Sequence, residues 1–477
     1  MSPPALNRKT AERNSSPDLA SASALIVRPA TIARVAMVLI ALWMLDLFVL
    51  KTSLLANCDG QHALTPLYVF WKPRVRATAV VFPIAFGVFA FAANRLCDPE
   101  RTRRRTFTLL LALAAMALPF ALFLVRDAPS ALGAQFTLYP DDEFLHDAGV
   151  IRDYARFLAH YVELMPRLSL HGQHFPPGHA SLLYVVARVF GPSTLAAGIA
   201  VLAIFAAGVC VAFLALREIA GERGARQAAC LVLAAPSMLD FACTGMDAVF
   251  FTLAAIAFWL GLRAFKDGAR WFDAALCGIA LLVATFFSFS TLPLGFVIGV
   301  YALVSGRTRM PRTLQRLAIL GATFVSAALL LKATTGFAVW DALFQARRSA
   351  AEFMAQVMNG RAGTDRWHLS YGNAVAFAFG AGIALTAAAI TAIAAQKRSE
   401  RGLKGHPWSI AALIAIATMS FAPIYYMETE RIWMFAIPWV AGITVLCGAV
   451  EARSLRFLLV VSAAQAFLME IALFTLW

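Results

Sequence analysis

The chain has 477 residues, of which 60% are hydrophobic and 14% charged, and its mean hydropathy is +0.71. That is far more apolar than a soluble domain of this size needs to be, which excludes a soluble globular enzyme. A formal charge of +14 could suggest nucleic acid, but the 41 Lys and Arg residues gather in short segments between apolar windows, where they mark membrane topology instead.

Residues 1–30 are rich in Ser, Pro, Ala and charge and show no apolar core followed by a cleavage site, so they read as a disordered cytoplasmic tail. From Thr31 onward, windows long enough to cross a bilayer recur at roughly 31–50, 77–95, 106–125, 194–216, 226–243, 246–265, 271–288, 290–306, 313–335, 370–394, 407–426, 431–449 and 455–476. These predict about thirteen transmembrane helices. The short alternating segments of a membrane β-barrel are not evident. The expected fold class is an all-α polytopic membrane protein with further helices lying along its outer surface.

With the N-terminus placed in the cytoplasm, the inside segments hold Arg101, Arg103, Arg104 and Arg105, then Arg217, Arg223 and Arg226, then Arg307, Arg309, Arg312 and Arg316, then Lys397, Arg398, Arg401 and Lys404. Lys51, Lys72, Arg74 and Arg76 are the misfit, because they flank a loop assigned to the outside. The first two helices are therefore the weakest part of the topology. The seven cysteines contain no CxxC pair and fall mostly in apolar spans, so they read as small core residues rather than as disulfides or zinc ligands.

Two external segments are long enough to carry chemistry, about 126–193 and 336–369, and neither could fold alone. In the first, Phe144, Ala148, Ile151, Ala155, Leu158, Val162 and Met165 recur at helical spacing, which predicts one continuous helix on the membrane surface. Pro176-Pro177 and Gly191-Pro192 bracket a second, juxtamembrane helix over 178–190. In the second segment a weaker amphipathic run covers Trp340 to Met358.

Charge at a membrane edge is costly, so clustered ionisable residues there are candidates for function. Asp141, Asp142 and Glu143 stand together where the first external segment meets its surface helix, and such a cluster can take a proton from a hydroxyl or hold a cation. A helix cap with acidic first-turn residues is the simpler reading, although a cap needs only one of them. Asp247, at the mouth between two apolar spans with Asp240 just before it, could complete an acidic site or merely cap a helix. His174 and His179 bracket the Pro-Pro-Gly turn and could contact a phosphate or an acceptor, though histidines near a membrane surface are common. Glu428, Glu430 and Arg431 form a compact charged turn before the last spans; Arg431 could grip a lipid-linked phosphate or serve as an interfacial anchor paired with Glu428.

Taken together these features resemble the GT-C superfamily of membrane glycosyltransferases, which includes protein O-mannosyltransferases and aminoarabinose transferases. The carriers are Asp141-Asp142-Glu143 at the start of the first external loop, His174-Phe175-Pro176-Pro177 later in it, Asp247 in the next external turn, and the late Glu428-Thr429-Glu430-Arg431-Ile432-Trp433 run. The extra residue between His174 and Pro176 departs from the family pattern. The two helices over 31–100 also depart from it, as an addition at the N-terminus, before a catalytic core over 101–268 and a variable region over 269–477. The resemblance further implies an inverting transfer of sugar from a polyprenyl-phosphate donor at the extracytoplasmic face. Asp142 would act as general base, and Glu143, Asp141 or Asp247 would orient the acceptor. Asp142 and Asp247 would hold a divalent cation such as Mg or Mn, if one is used, while His174, His179, Glu428, Glu430 and Arg431 would bind substrate. Membrane lipids are the surrounding partners, with no role for nucleic acid. The Ala- and Arg-rich composition suggests a bacterial inner-membrane protein.

Two other classes fit less well. A transporter or lipid flippase would bury its ionisable groups near the mid-plane, as only Asp46 does, rather than gather them at one face. A lipid phosphatase is suggested by Pro176-Pro177-Gly178-His179, but Pro177 stands where a serine is wanted and the flanking Lys-, Arg- and His-bearing elements are missing.

Overall fold

The computed structural model describes residues 28–45, 69–138, 143–357, 366–397, 406–421, 429–448 and 450–475. The remainder, which includes Asp46, Asp141, Asp142, Glu428 and residues 1–27 of the expected N-terminal tail, lies outside the described residues. What is described is almost wholly helical and apolar, as an integral membrane protein requires, because a bilayer leaves no water to satisfy an unpaired backbone.

Among the described residues, six helices are long and apolar enough to cross a membrane: Ala77–Leu96, Arg104–Phe123, Thr194–Ala234, Asp247–Ala264, Met310–Thr335 and Ala452–Ala472. A helix pair bent by 105° makes a seventh if it counts as one span, against the thirteen expected. Several other expected spans coincide with shorter apolar helices, among them Trp271–Phe287, Thr291–Ser305 and Pro407–Phe421.

The expected spans 194–216 and 226–243 are one long helix broken at Gly221, whose φ of 66° is open to glycine at little cost. Just past the break Arg226, 1% exposed, pairs with Glu222 at 2.8 Å and donates to the carbonyls of Leu96 and Thr102. It thereby locks the 97–103 turn to the central helix. The expected span 370–394 is likewise not one rod, since it breaks at Gly382 (φ 100°). Gln465 bridges that break, donating to Phe379 O at 2.8 Å and accepting from Ile383 N at 2.9 Å, so backbone groups freed by the bend keep partners inside the bundle.

The second of the expected N-terminal helices is fastened to the C-terminal end of the chain. Val81–Leu96 packs on the last helix, Ala452–Ala472, with the Phe82 and Phe467 rings stacked at 5.9 Å. A two-stranded antiparallel ladder, Val69–Trp71 with Leu473–Thr475, closes the same junction. The buried Arg126 guanidinium ties it together by donating to Lys72 O and Glu470 O, each at 3.0 Å.

The surface helix expected over 144–165 is three short helices, Phe144–Val150, Tyr154–Ala159 and Tyr161–Leu164. Extended backbone at Ile151 and Asp153 interrupts it, and Asp153 caps the next piece by accepting from Arg156 N. Each break rotates the buried face, so Phe157 and Tyr161 are buried while the expected Ala155 is exposed. These pieces share a small apolar core, Ile151, Leu158, Tyr161 and Met165, with Phe337, Ala342 and Ala346 of the segment that begins at residue 336. Neither segment could bury such a face alone; each covers the other.

Candidate active site

One pocket draws its walls from four separated parts of the chain: Glu143 and Phe144, then His171, Phe175 and His179, then Thr244, Gly245, Met246 and Asp247, and finally Arg431. It therefore gathers Glu143, His179, Asp247 and Arg431 from the sequence candidates.

Glu143 occupies the N-cap position of the Phe144–Val150 helix in an extended conformation, yet its side chain makes no capping hydrogen bond. The simpler expectation of a capping carboxylate does not describe it. Its carboxylate, in a residue 7% exposed, instead turns toward His171, with Oε2 lying 4.0 Å from Nδ1. The His171 ring in turn stacks on Phe144 at 5.3 Å.

Across the pocket, Asp247 begins the Asp247–Ala264 helix, and the cap residue before it is Met246. Asp247 Oδ2 lies 3.3 Å from Arg431 Nε, with both side chains largely withdrawn from water. Arg431 sits in the short Thr429–Ile432 helix, anchored where Thr429 Oγ1 donates to Asn373 O at 3.0 Å and Trp433 packs on Phe377. Opposite charges so placed give this wall a near-neutral pair.

His179 is 2% exposed and ringed by Phe144, Phe175 and Phe287, at centroid distances of 4.8, 5.9 and 5.5 Å. Its Nδ1 has no hydrogen-bond partner among the described residues. Burial, with the Arg431 charge adding to it, pushes its pKa down from 6.5 to about 3, so the ring is neutral at physiological pH. Gly178 before it admits no side chain: a Cβ there would stand 2.5 Å from Phe286 O and 2.6 Å from the Phe287 ring.

His174 does not line this pocket, contrary to its selection beside Pro176-Pro177. Its Nδ1 lies 2.6 Å from Leu170 O and its ring meets Phe353 at 5.9 Å, which turns it toward the Val339–Val357 helix. His171, one turn away, takes the place at the pocket, and sequence reasoning passed it over because no motif marks it. Glu430 lies in the same short helix as Arg431, while Glu428, Asp141 and Asp142 fall outside the described residues. Asp240 ends the short Pro236–Asp240 helix and does not line the pocket.

A divalent cation does not fit Asp247 as placed, since a guanidinium already occupies the cation position beside its carboxylate. Among the described residues no group of three or more His, Cys, Asp or Glu side chains is arranged to hold a metal ion.

Residues 174–345 match the family model described as dolichyl-phosphate-mannose-protein mannosyltransferase. The match supports the resemblance to GT-C membrane glycosyltransferases drawn from the sequence. It covers His179 and Asp247 but stops short of Arg431, and it runs past residue 268, where the catalytic core was expected to end. No curated protein matches the chain. Two crystal structures of ArnT from Cupriavidus metallidurans are similar, one in the apo state and one bound to undecaprenyl phosphate. Their identities are 18% and 16%, their TM-scores 0.38 and 0.37, and each alignment covers 64% of this chain. The chain spans 58% of the length of those structures.

Proposed function

We propose that this protein transfers a sugar from a polyprenyl-phosphate donor to a hydroxyl-bearing acceptor at the extracytoplasmic face of the membrane. The observation that carries the reading is the convergence of Arg431, Asp247, His179 and Glu143 on one pocket in an otherwise apolar helical protein. A phosphate linked to a long apolar tail is the ligand that suits a buried guanidinium beside membrane-crossing helices. The family match over 174–345 supports a lipid-phosphate sugar as donor.

In this reading the donor phosphate accepts hydrogen bonds from Arg431, which Asp247 holds in place. The neutral His179 adds a hydrogen bond without adding charge. The acceptor oxygen attacks the anomeric carbon, the carbon–oxygen bond to phosphate breaks with inversion, and polyprenyl phosphate departs. A carboxylate takes the acceptor proton; Asp142 and Glu143 are the candidates, and such a base contributes about 10²- to 10⁴-fold in rate.

The test is transfer or hydrolysis of a panel of radiolabelled polyprenyl-phosphate sugars by the purified protein in lipid nanodiscs, beside the Glu143→Gln and Asp142→Asn variants. Release of sugar by the wild type alone establishes the activity and identifies the donor. Neither release nor binding of any donor would overturn it in favour of a transporter.

A further inference from the structure

Behind the pocket lies a set of buried polar contacts to which the reaction above assigns no role. Asp147 is 0% exposed on the Phe144–Val150 helix, a position where an unpaired carboxylate would be costly. Burial raises its pKa, and two hydrogen bonds from Ser169 oppose that rise: Ser169 N donates to Oδ1 at 2.8 Å and Ser169 Oγ to Oδ2 at 2.6 Å. Ser169 is also the N-cap of the Leu170–His174 turn, its Oγ accepting from Gly172 N at 3.1 Å. At the other end of the turn the buried Tyr161 hydroxyl lies 2.8 Å from Phe175 O and 3.1 Å from Gly172 O. Gly172 faces Asp147 so closely that a Cβ there would collide with the carboxylate.

A single helical turn has no stability of its own, so its orientation is set by what grips its ends. Here Asp147 grips one end, and it does so from the helix that Glu143 immediately precedes. The same side chain therefore ties the segment bearing Glu143 to the segment bearing His171. The ring contact of Phe144 with His171 lies on that seam.

We propose that Asp147 is a positioning residue which, through Ser169, fixes the Leu170–His174 turn so that His171 faces Glu143 inside the pocket. Resting on the reaction proposed above, His171 then meets the acceptor beside the carboxylate. His174, on the same turn, is by the same constraint directed away.

The test has an arm that needs no activity. Full-length protein in nanodiscs is treated with diethylpyrocarbonate, and carbethoxylation of each histidine is followed by peptide mass spectrometry. In Ser169→Ala and Asp147→Ala, His171 should react about tenfold faster than in the wild type, the shift expected from losing one buried charge-assisted hydrogen bond. Buried His179 and exposed His160 should keep their wild-type rates. Ser169→Thr, which retains the hydroxyl, should restore protection. An unchanged His171 rate in Ser169→Ala overturns the proposal. So does a parallel rise at His179, which would mean that the whole outer layer had opened. With the donor found by the panel, Ser169→Ala should lower kcat more than it alters KM, and should cause no further loss in a His171→Gln background; independent, multiplicative losses overturn the proposal. Should the wild type act on no donor while His171 labelling follows expectation, the positioning role stands and the glycosyltransferase reading fails.

Discussion

Asp247 Oδ2 lies 3.3 Å from Arg431 Nε, so the first turn of one apolar helix is joined to a charged turn far along the chain. The two side chains are 13% and 7% exposed, and a pair so withdrawn from water is costly to break from one side, by roughly 3–5 kcal/mol when burial is complete.

Arg431→Ala should therefore lower the thermal midpoint and also weaken binding of undecaprenyl phosphate, used as probe, by at least about tenfold. Arg431→Lys keeps the charge but loses the planar fork, and should fall between the two. Asp247→Asn should destabilise without abolishing binding, since the guanidinium remains. Ligand-induced thermal shifts in detergent would read all three, and equal binding by wild type and Arg431→Ala would remove the phosphate from this pocket.

Glu143→Gln keeps the shape of the side chain and removes its basicity. The expected result is a fall in kcat of about 10²- to 10⁴-fold with a folded protein, if Glu143 is the base. Should Asp142→Asn produce that fall instead, the base is Asp142 and Glu143 orients the acceptor. Single-turnover rates with the donor identified by the panel would decide.

His179 gives a pH signature. Its folded pKa of about 3 lies below the ordinary 6.5, so between those values the unfolded chain binds a proton that the folded protein does not. The linked stability is fully present above about pH 6.5 and is lost as pH falls toward 3, amounting to a few kcal/mol, roughly, over the full interval. His179→Gln should flatten that limb in unfolding scans taken from pH 7 to 4. A limb identical to wild type would mean that other groups carry it.

Gly178→Ala adds one methyl where Phe286 O and the Phe287 ring stand within 2.6 Å of its position. Because one of those atoms is backbone, relief requires the 178–190 helix to shift, and a loss of about 1–3 kcal/mol is expected. Gly295→Ala, where nothing lies within 4 Å, is the matched control and should unfold at or above the wild-type temperature. A similar midpoint for the two variants would show that the 178 contact yields freely.

Treatment with EDTA tests the metal expectation. With Asp247 paired to Arg431, transfer should survive chelation, and restoration of activity by added Mg or Mn after its loss would place a cation at Asp142 or elsewhere.

Much of this was legible in the sequence because the physics is local. Hydrophobic windows of bilayer length have to become helices wherever they occur, since only a helix satisfies its own backbone in lipid. Likewise Glu143, His179, Asp247 and Arg431 could be singled out individually, because each is a polar residue at the edge of an apolar stretch. Five of the six described cysteines, all but Cys210, are buried, as their place in apolar stretches led one to expect; Cys58 lies outside the described residues.

Partnership was not local. That Asp247 meets Arg431, or that Arg126 binds carbonyls at both ends of the chain, depends on how helices pack, which hydropathy does not encode. The surface stripe over 144–165 misled because a period of 3.6 persists across a break while the buried face rotates at Ile151 and Asp153. His171 and His174 share one turn of helix, and Pro176-Pro177 pointed to the second. Only the contacts of Asp147 with Ser169, 22 positions apart, decide that the first faces the pocket. Composition and spacing thus determined that this is a helical membrane protein with ionisable groups at the ends of its apolar stretches; tertiary packing decided which of them share a site, because a side chain's direction is set by what its segment is fastened to.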